Sequence, residues 1–260
     1  MSRKLAAVIG TAAAAALVLG GLFAVALGRS AQPTPTAAAG GSTTGSVPPP
    51  TPTSTPPTTP PTTPNTNAGK PVADPTASLV TGNKKVIFFS FDDGPDPVWT
   101  PRVLQVLKKH GAHATFFQLG RNQAQYPALR DQILADGNTI GSHSINHPQL
   151  TKLSAAERHH EIFDGPQSKC FRPPYGASNP KVRADIKAAG MAQVLWDVDP
   201  RDWAKPGVNA IAHNIMTHAH RRNIVLMHDG GGDRAQTVAA LDKVLGQLKA
   251  QGYSFPAMDC

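Results

Sequence analysis

Between residues 85 and 255 short runs of aromatic and β-branched residues alternate with stretches of helical periodicity, and this alternation restricts the fold more than any other property of the chain. Strand-like runs lie at 85–91, 114–119, 139–143, around Phe171, and at 191–198, 224–227 and 253–255. Between them, 100–109, 127–135, a stretch begun by Ser154, 179–190, 208–218 and 235–249 carry apolar residues at helix spacing. Ser154 with Glu157 three residues on reads as a capping box, and Asn179-Pro180 as a helix start. Seven β/α units of this kind predict parallel strands wrapped by helices. The other solution is a doubly wound open sheet, which usually carries a Gly-rich phosphate loop, and neither G-x-G-x-x-G nor a Walker motif occurs. A (β/α) barrel is therefore expected.

Five polar clusters close these apolar runs: Ser90-Phe91-Asp92-Asp93-Gly94-Pro95, His143-Ser144-Ile145-Asn146-His147, Arg172-Pro173-Pro174-Tyr175, Asp199-Pro200-Arg201-Asp202-Trp203 and Leu226-Met227-His228. In a barrel of parallel strands they share the carboxyl-end rim, where such folds carry catalysis. His143 and His147, four apart, can face one way, and an aspartate from a neighbouring strand end completes two imidazoles and one carboxylate. Such a set leaves open positions for water and substrate, as a catalytic metal requires. An H-x-x-x-H pair means little in a chain with ten histidines, and His159, His160, His218 and His220 read as solvated surface residues. The adjacent aspartates before a Gly-Pro turn raise the pair's significance. Asp92 and Asp93 leave the strand in different directions, so one can ligate a metal while the other faces an attacking water as base.

In order, spacing and residue type, these clusters resemble the polysaccharide deacetylase family, also called the NodB-homology or carbohydrate esterase family 4 domain, over roughly residues 84–258. The resemblance implies a distorted seven-stranded (β/α) barrel. It implies Asp93, His143 and His147 as ligands of a divalent metal, Zn2+ by preference with Co2+ or Ni2+ as substitutes. Asp92 would be the general base and Arg172 its ion-pair partner. His228 would be the general acid that protonates the leaving nitrogen, oriented by Asp202. The backbone N–H of Tyr175 would face the oxyanion, and Trp203 and Leu226 would wall an acetyl-sized pocket, a role compatible with plain core packing. One departure stands out: between His147 and Arg172 many members have a longer helix and a further loop, whereas 154–164 allows at most three turns.

The preceding chain bears on location. Arg3 and Lys4 precede an almost wholly apolar stretch from residue 5 to 28, which as a helix reaches about 36 Å and could cross a bilayer of about 30 Å. Its length favours an uncleaved anchor, while Ala26-Leu27-Gly28 offers a signal-peptide cleavage site. The basic pair would hold the N-terminus in the cytoplasm and send the rest outside. From about residue 32 the composition collapses to Pro, Thr, Ala, Ser and Gly, which predicts an extended, disordered stalk. The expected organisation is an export segment at 1–31, a linker at 32–83 and a catalytic domain at 84–260.

Arg3, Lys4, Arg29 and Lys70 against Asp74 give the first 83 residues a net +3, leaving +5 of the chain's +8 on the domain. This suits an anionic envelope better than nucleic acid, since no basic run is interleaved with aromatics. Cys170 and Cys260 could form a bridge in an oxidising compartment, or serve as a core residue and a frayed terminus. The expected protein is an exported monomer that removes acetyl groups from N-acetylglucosamine-type units of an extracellular polysaccharide, peptidoglycan first. A chitin deacetylase and an acetylxylan esterase are the alternatives within enzymes. A non-catalytic wall-binding protein is the alternative outside them, disfavoured because a binder needs neither base nor acid.

Overall fold

The computed structural model describes residues 73–260, so the expected export segment and most of the linker lie outside the described residues. Six strands, β1 (Phe88–Asp92), β2 (Ala114–Gln118), β3 (Thr139–Ser142), β4 (Cys170–Phe171), β5 (Ala192–Gln193) and β6 (Ile224–His228), form one sheet in the order β5-β4-β3-β2-β1-β6. Every pairing is parallel. The sheet curls, and beyond β5 the chain runs on to Val198, which bridges Val225 of β6, with the Leu226 N–H donating to the Val198 carbonyl at 2.9 Å. The result is a curled half-barrel of parallel strands.

Seven strands were expected and six form among the described residues. The run at 253–255 contributes only a parallel bridge from Ser254 to Val86, because Pro256 has no N–H with which to extend the ladder. The run at 191–198 keeps only two strand residues, since its partner β4 ends at Pro173-Pro174. The chain after Gln193 is thus free to turn toward the rim.

Helices α1 (Trp99–His110), α2 (Gly120–Gln125), α3 (Pro127–Ala135), α4 (Ala155–Phe163), α5 (Pro180–Ala188), α6 (Val208–His218) and α7 (Ala235–Ala250) follow the expected pattern, apart from the short α2. The capping box forms, with Ser154 Oγ accepting from the Glu157 N–H and the Glu157 carboxylate accepting from the Ser154 N–H. Asn179 likewise accepts from the Val182 N–H at 2.9 Å and starts α5.

Alternation along β1 decides what lies inside. Phe89 and Phe91 join Val103, Leu104, Leu107, Leu241 and Val244 in the core between sheet and helices. Phe88 instead packs with Phe117, Cys170, Val194 and Met258, and with period two Ser90 and Asp92 share its face. The interior is therefore apolar at one end and polar toward the carboxyl ends of the strands.

Cys170 and Cys260 form a disulfide that ties the last residue to β4 across 90 positions. Residues 73–83, assigned to the linker on composition, are packed at their end: Leu79 and Val80 lie against the interior cluster, and the Asp259 N–H donates to the Pro75 carbonyl at 2.9 Å. In the chain-entropy account a loop of this length gains about 4.6 kcal/mol from its cross-link. Cys260→Ser is thus expected to lower the thermal midpoint by on the order of 10–15 °C, measured by calorimetry.

Candidate active site

Each strand end delivers one part of the rim. β1 ends at Asp92, whose side chain is almost completely buried and whose Oδ1 accepts from Arg172 Nη1 at 2.7 Å. Arg172 follows β4 and is fully buried. Its guanidinium also donates to Ser90 Oγ at 2.9 Å and to the carbonyls of Val194 and Leu195, and lies 4.0 Å from the Phe117 ring centroid. Burial pulls the Arg172 pKa below its ordinary value, and the charge and hydrogen bond of Asp92 work against that.

One residue on, Asp93 adopts φ 74°, which turns its carboxylate away from the strand direction. Asp93 Oδ1 is buried without a hydrogen-bond partner among the described residues. It stands 3.4 Å from His147 Nε2 and 3.7 Å from His143 Nε2. These separations are too long for hydrogen bonds. They are close to the roughly 3.3 Å between donors that each lie about 2.0–2.2 Å from one tetrahedral ion. His143 Nδ1 sits 2.6 Å from the Arg172 carbonyl, which can only accept, so Nδ1 carries the proton and Nε2 keeps its lone pair for a metal. Burial, followed by the opposing charge of Asp93, determines His147, whose pKa falls below its ordinary value, as a neutral ligand requires. An orphaned carboxylate oxygen and two imidazole nitrogens, all within 4.8 Å of one another, fit a divalent metal.

The two histidines sit on a loop rather than a helical turn, and Ser144 and His147 take positive φ values of 68° and 66°. Strain of about 1–3 kcal/mol at each such residue has to be held by surrounding contacts. Glu161 on α4 supplies them: its carboxylate accepts from the Ile145 and Asn146 N–H groups at 2.8 and 2.9 Å and from Asn146 Nδ2 at 3.0 Å. Ser144 Oγ accepts from the His147 N–H at 3.0 Å. His159, His160, His218 and His220 are exposed and lie outside the cluster, as expected.

Across the pocket His228 ends β6. Its Nδ1 lies 2.8 Å from Asp202 Oδ1, while Asp202 Oδ2 accepts from the His228 N–H and from Thr237 Oγ1 of α7. Burial opposes a charged imidazole, but the Asp202 hydrogen bond and charge outweigh it and raise the His228 pKa, with Asp92 and Asp93 adding to the effect. Burial also works against an ionised Asp202, and its hydrogen bonds from His228 and Thr237 still bring its pKa below the ordinary value. Asp202 opens a single turn bracketed by Arg201 and Lys205, both with positive φ.

A cavity of about 420 Å³ joins the two halves. Its lining includes Asp92, Asp93, His143, His147 and His228, with Tyr175 and the expected wall residues Trp203 and Leu226. Trp203 and Tyr175 are exposed and Leu226 is buried. Tyr175 has φ 62° and sets its ring against His147 at 4.5 Å between centroids. The Gly176 and Ala177 N–H groups close turns onto Pro173 and Pro174, whereas the Tyr175 N–H has no such bond among the described residues. Trp196 and Asp199 also line the cavity and were missed as site residues. Asp199 lay in a motif without a role, and Trp196 was hidden inside a run read as strand. Glu161 and Thr237 were missed too, since each is one polar residue on an otherwise ordinary helix.

Such a fold and site define a hydrolase that activates water in a cleft at the carboxyl ends of parallel strands. The family model for polysaccharide deacetylase matches residues 80–194. A peptidoglycan-N-acetylglucosamine deacetylase of Bacillus cereus is 45% identical over 186 residues, covering 68% of this chain and 87% of that protein. A chitooligosaccharide deacetylase of Azorhizobium caulinodans is 36% identical, covering 68% and 95%. The structure of the peptidoglycan deacetylase PdaC from Bacillus subtilis superposes with a TM-score of 0.62 at 36% identity, over 71% of this chain and 90% of that one. The chain belongs to the polysaccharide deacetylase family, the NodB-homology domains of carbohydrate esterase family 4.

The protein is expected to bind about one divalent ion per chain, measured by titration calorimetry and elemental analysis. His143→Ala should weaken that binding by more than the roughly 10–100-fold typical of outer contacts, and the exposed His160→Ala should leave it unchanged.

Proposed function

We propose that the protein is a metal-dependent N-deacetylase that removes acetyl groups from N-acetylglucosamine units of peptidoglycan, with chito-oligosaccharide as the second substrate. The observation that carries this reading is the pair of ion-paired groups on one cavity, Asp92 with Arg172 and His228 with Asp202, beside the three-donor cluster. A base and an acid on opposite sides of a bound group suit hydrolysis of an amide, whose nitrogen leaves only when protonated. A wall-binding protein without catalysis needs neither.

Asp93, His143 and His147 would hold the ion, zinc being favoured by the two-nitrogen, one-oxygen donor set. When bound, the ion polarises a carbonyl and lowers the pKa of water. Asp92, oriented and charge-balanced by Arg172, takes the proton from water attacking the acetyl carbon. The Tyr175 N–H donates to the oxygen that gains charge. His228, kept protonated toward higher pH by Asp202, gives its Nε2 proton to the leaving nitrogen, and acetate and a free amine result. Trp203, Leu226 and Trp196 exclude bulk water from the acetyl group. The same water attack would cleave an acetyl ester, which keeps acetylated xylan as the lesser alternative.

The apolar 5–28 segment and the proline- and threonine-rich stretch support an extracytoplasmic location, with the domain held to the membrane or released by cleavage. The protein would act as a monomer on an envelope polysaccharide.

Acetate release from peptidoglycan, N-acetylglucosamine oligomers and acetylated xylan tests the reading. The first two should be turned over and the third should be poor; activity confined to xylan would refute it. His228→Ala should lose about 10²–10⁴-fold on the glycan amide and far less on an activated aryl acetate, whose leaving group needs no proton. Asp202→Asn removes what raises the His228 pKa, so the alkaline limb of the amide rate should move to lower pH. Equal losses on both substrates, or an unmoved limb, would contradict the acid's role.

A further inference from the structure

Asp229, directly beyond His228, has no part in the reaction set out above, yet it is fully buried. Its carboxyl group lies flat against the Cα of Gly94, where any Cβ would collide with both of its oxygens. Thr100 Oγ1 on α1 accepts from the Asp96 N–H at 2.8 Å, which leaves its own hydrogen to donate to Asp229 Oδ2 at 2.6 Å. The Asp229 N–H donates to the Asp92 carbonyl at 3.1 Å and carries the β1–β6 ladder one step past Asp92 and His228. Asp229 Oδ1 has no hydrogen-bond partner among the described residues. A buried, half-satisfied carboxyl group is a poor choice for packing alone.

What it packs beneath is the turn that presents Asp93. Asn122 Nδ2 holds the Asp93 carbonyl at 2.8 Å, and the Leu119 N–H holds the Gly94 carbonyl at 3.0 Å. On the far side Gly230 lies so close that a Cβ would strike the Asp93 carbonyl. At Gly231 a Cβ would stand 2.8 Å from Asp93 Oδ2 and 3.2 Å from Nη2 of the buried Arg234, so this segment too has no room for a side chain beside the Asp93 carboxylate. Arg234 in turn donates to the carbonyls of Gly230 and Gly231, locking the loop that begins at Asp229.

We propose that Asp229 is a positioning residue for metal capture: wedged between Thr100 and Gly94, it sets where the Asp93 carboxylate meets the ion. This rests on Asp93, His143 and His147 being the ligands. Asp229 acts through the turn and touches neither ion nor substrate. Its required properties are a planar group of carboxyl size and an acceptor for Thr100, both of which an amide supplies.

The test is Co2+ and Zn2+ titration of the full chain and its Asp229→Asn, Asp229→Ala, Thr100→Ser and Thr100→Val variants, reading the dissociation constant and the visible Co2+ spectrum. Asp229→Asn and Thr100→Ser should stay within about threefold of the parent with the parent's spectrum. Asp229→Ala and Thr100→Val should bind at least about tenfold more weakly with an altered spectrum, the scale of outer-contact losses. If Asp229→Ala fails to fold cooperatively, the two Thr100 variants decide. Parent-like affinity and spectrum in the folded Ala and Val variants would overturn the proposal, as would Asp229→Asn behaving like Asp229→Ala. A parent chain that binds no metal would instead refute the ligand assignment itself.

Discussion

The rim is organised around the buried pair of Arg172 and Asp92. A fully buried guanidinium has to satisfy its donors and its charge inside the protein, and Arg172 does so by reaching three strand ends at once. It meets Ser90 and Asp92 on β1, the carbonyls of Val194 and Leu195 past β5, and through its own carbonyl His143 past β3. Removing one partner of such a pair costs about 3–5 kcal/mol, because the other is left charged and dry. That cost makes the arrangement stiff. The geometry around the adjacent aspartates agrees with separate roles: Arg172 takes Asp92 Oδ1, Asp92 Oδ2 stands 3.7 Å from His143 Nε2 alone, and the orphaned Asp93 Oδ1 faces both imidazoles.

The rest of the structure delivers groups to that pair. Parallel strands place every carboxyl end on one rim, and short β4 and β5 release the chain early enough for Arg172, Trp196 and the Asp202 turn to converge. Positive φ at Asp93, Ser144, His147, Tyr175 and Arg201 marks where side chains are turned out of their default directions. Glu161, Thr237 and Asp229 bond to the segments that carry these residues or their neighbours. The site is therefore held from behind by buried hydrogen bonds, while the rings of Tyr175 and Trp203 at the cavity are exposed.

Much of this was legible because it is local. Asp92-Asp93, the histidine loop and Arg172 sit directly after apolar runs, so strand periodicity alone puts them on one rim. The Ser154–Glu157 capping box and the Asn179 cap were readable because a helix start is decided within four residues. Positioning groups such as Glu161 and Asp229 were not, since each acts across 15 or more positions on a backbone whose path the sequence does not display. The seventh strand failed for a similar reason: residues 253–255 have strand propensity, but pairing depends on Pro256 and on a distant partner. The Cys170–Cys260 bridge was left open by spacing and is settled by proximity.

Two adjacent carboxylates are expected to do separate work, Asp92 for the water and Asp93 for the ion. Metal content measured beside acetate release in Asp92→Asn and Asp93→Asn separates the two roles. Asp92→Asn should keep its metal and lose most turnover, and Asp93→Asn should lose both. Equal metal loss in the two variants, or full turnover in Asp92→Asn, would contradict that division of work.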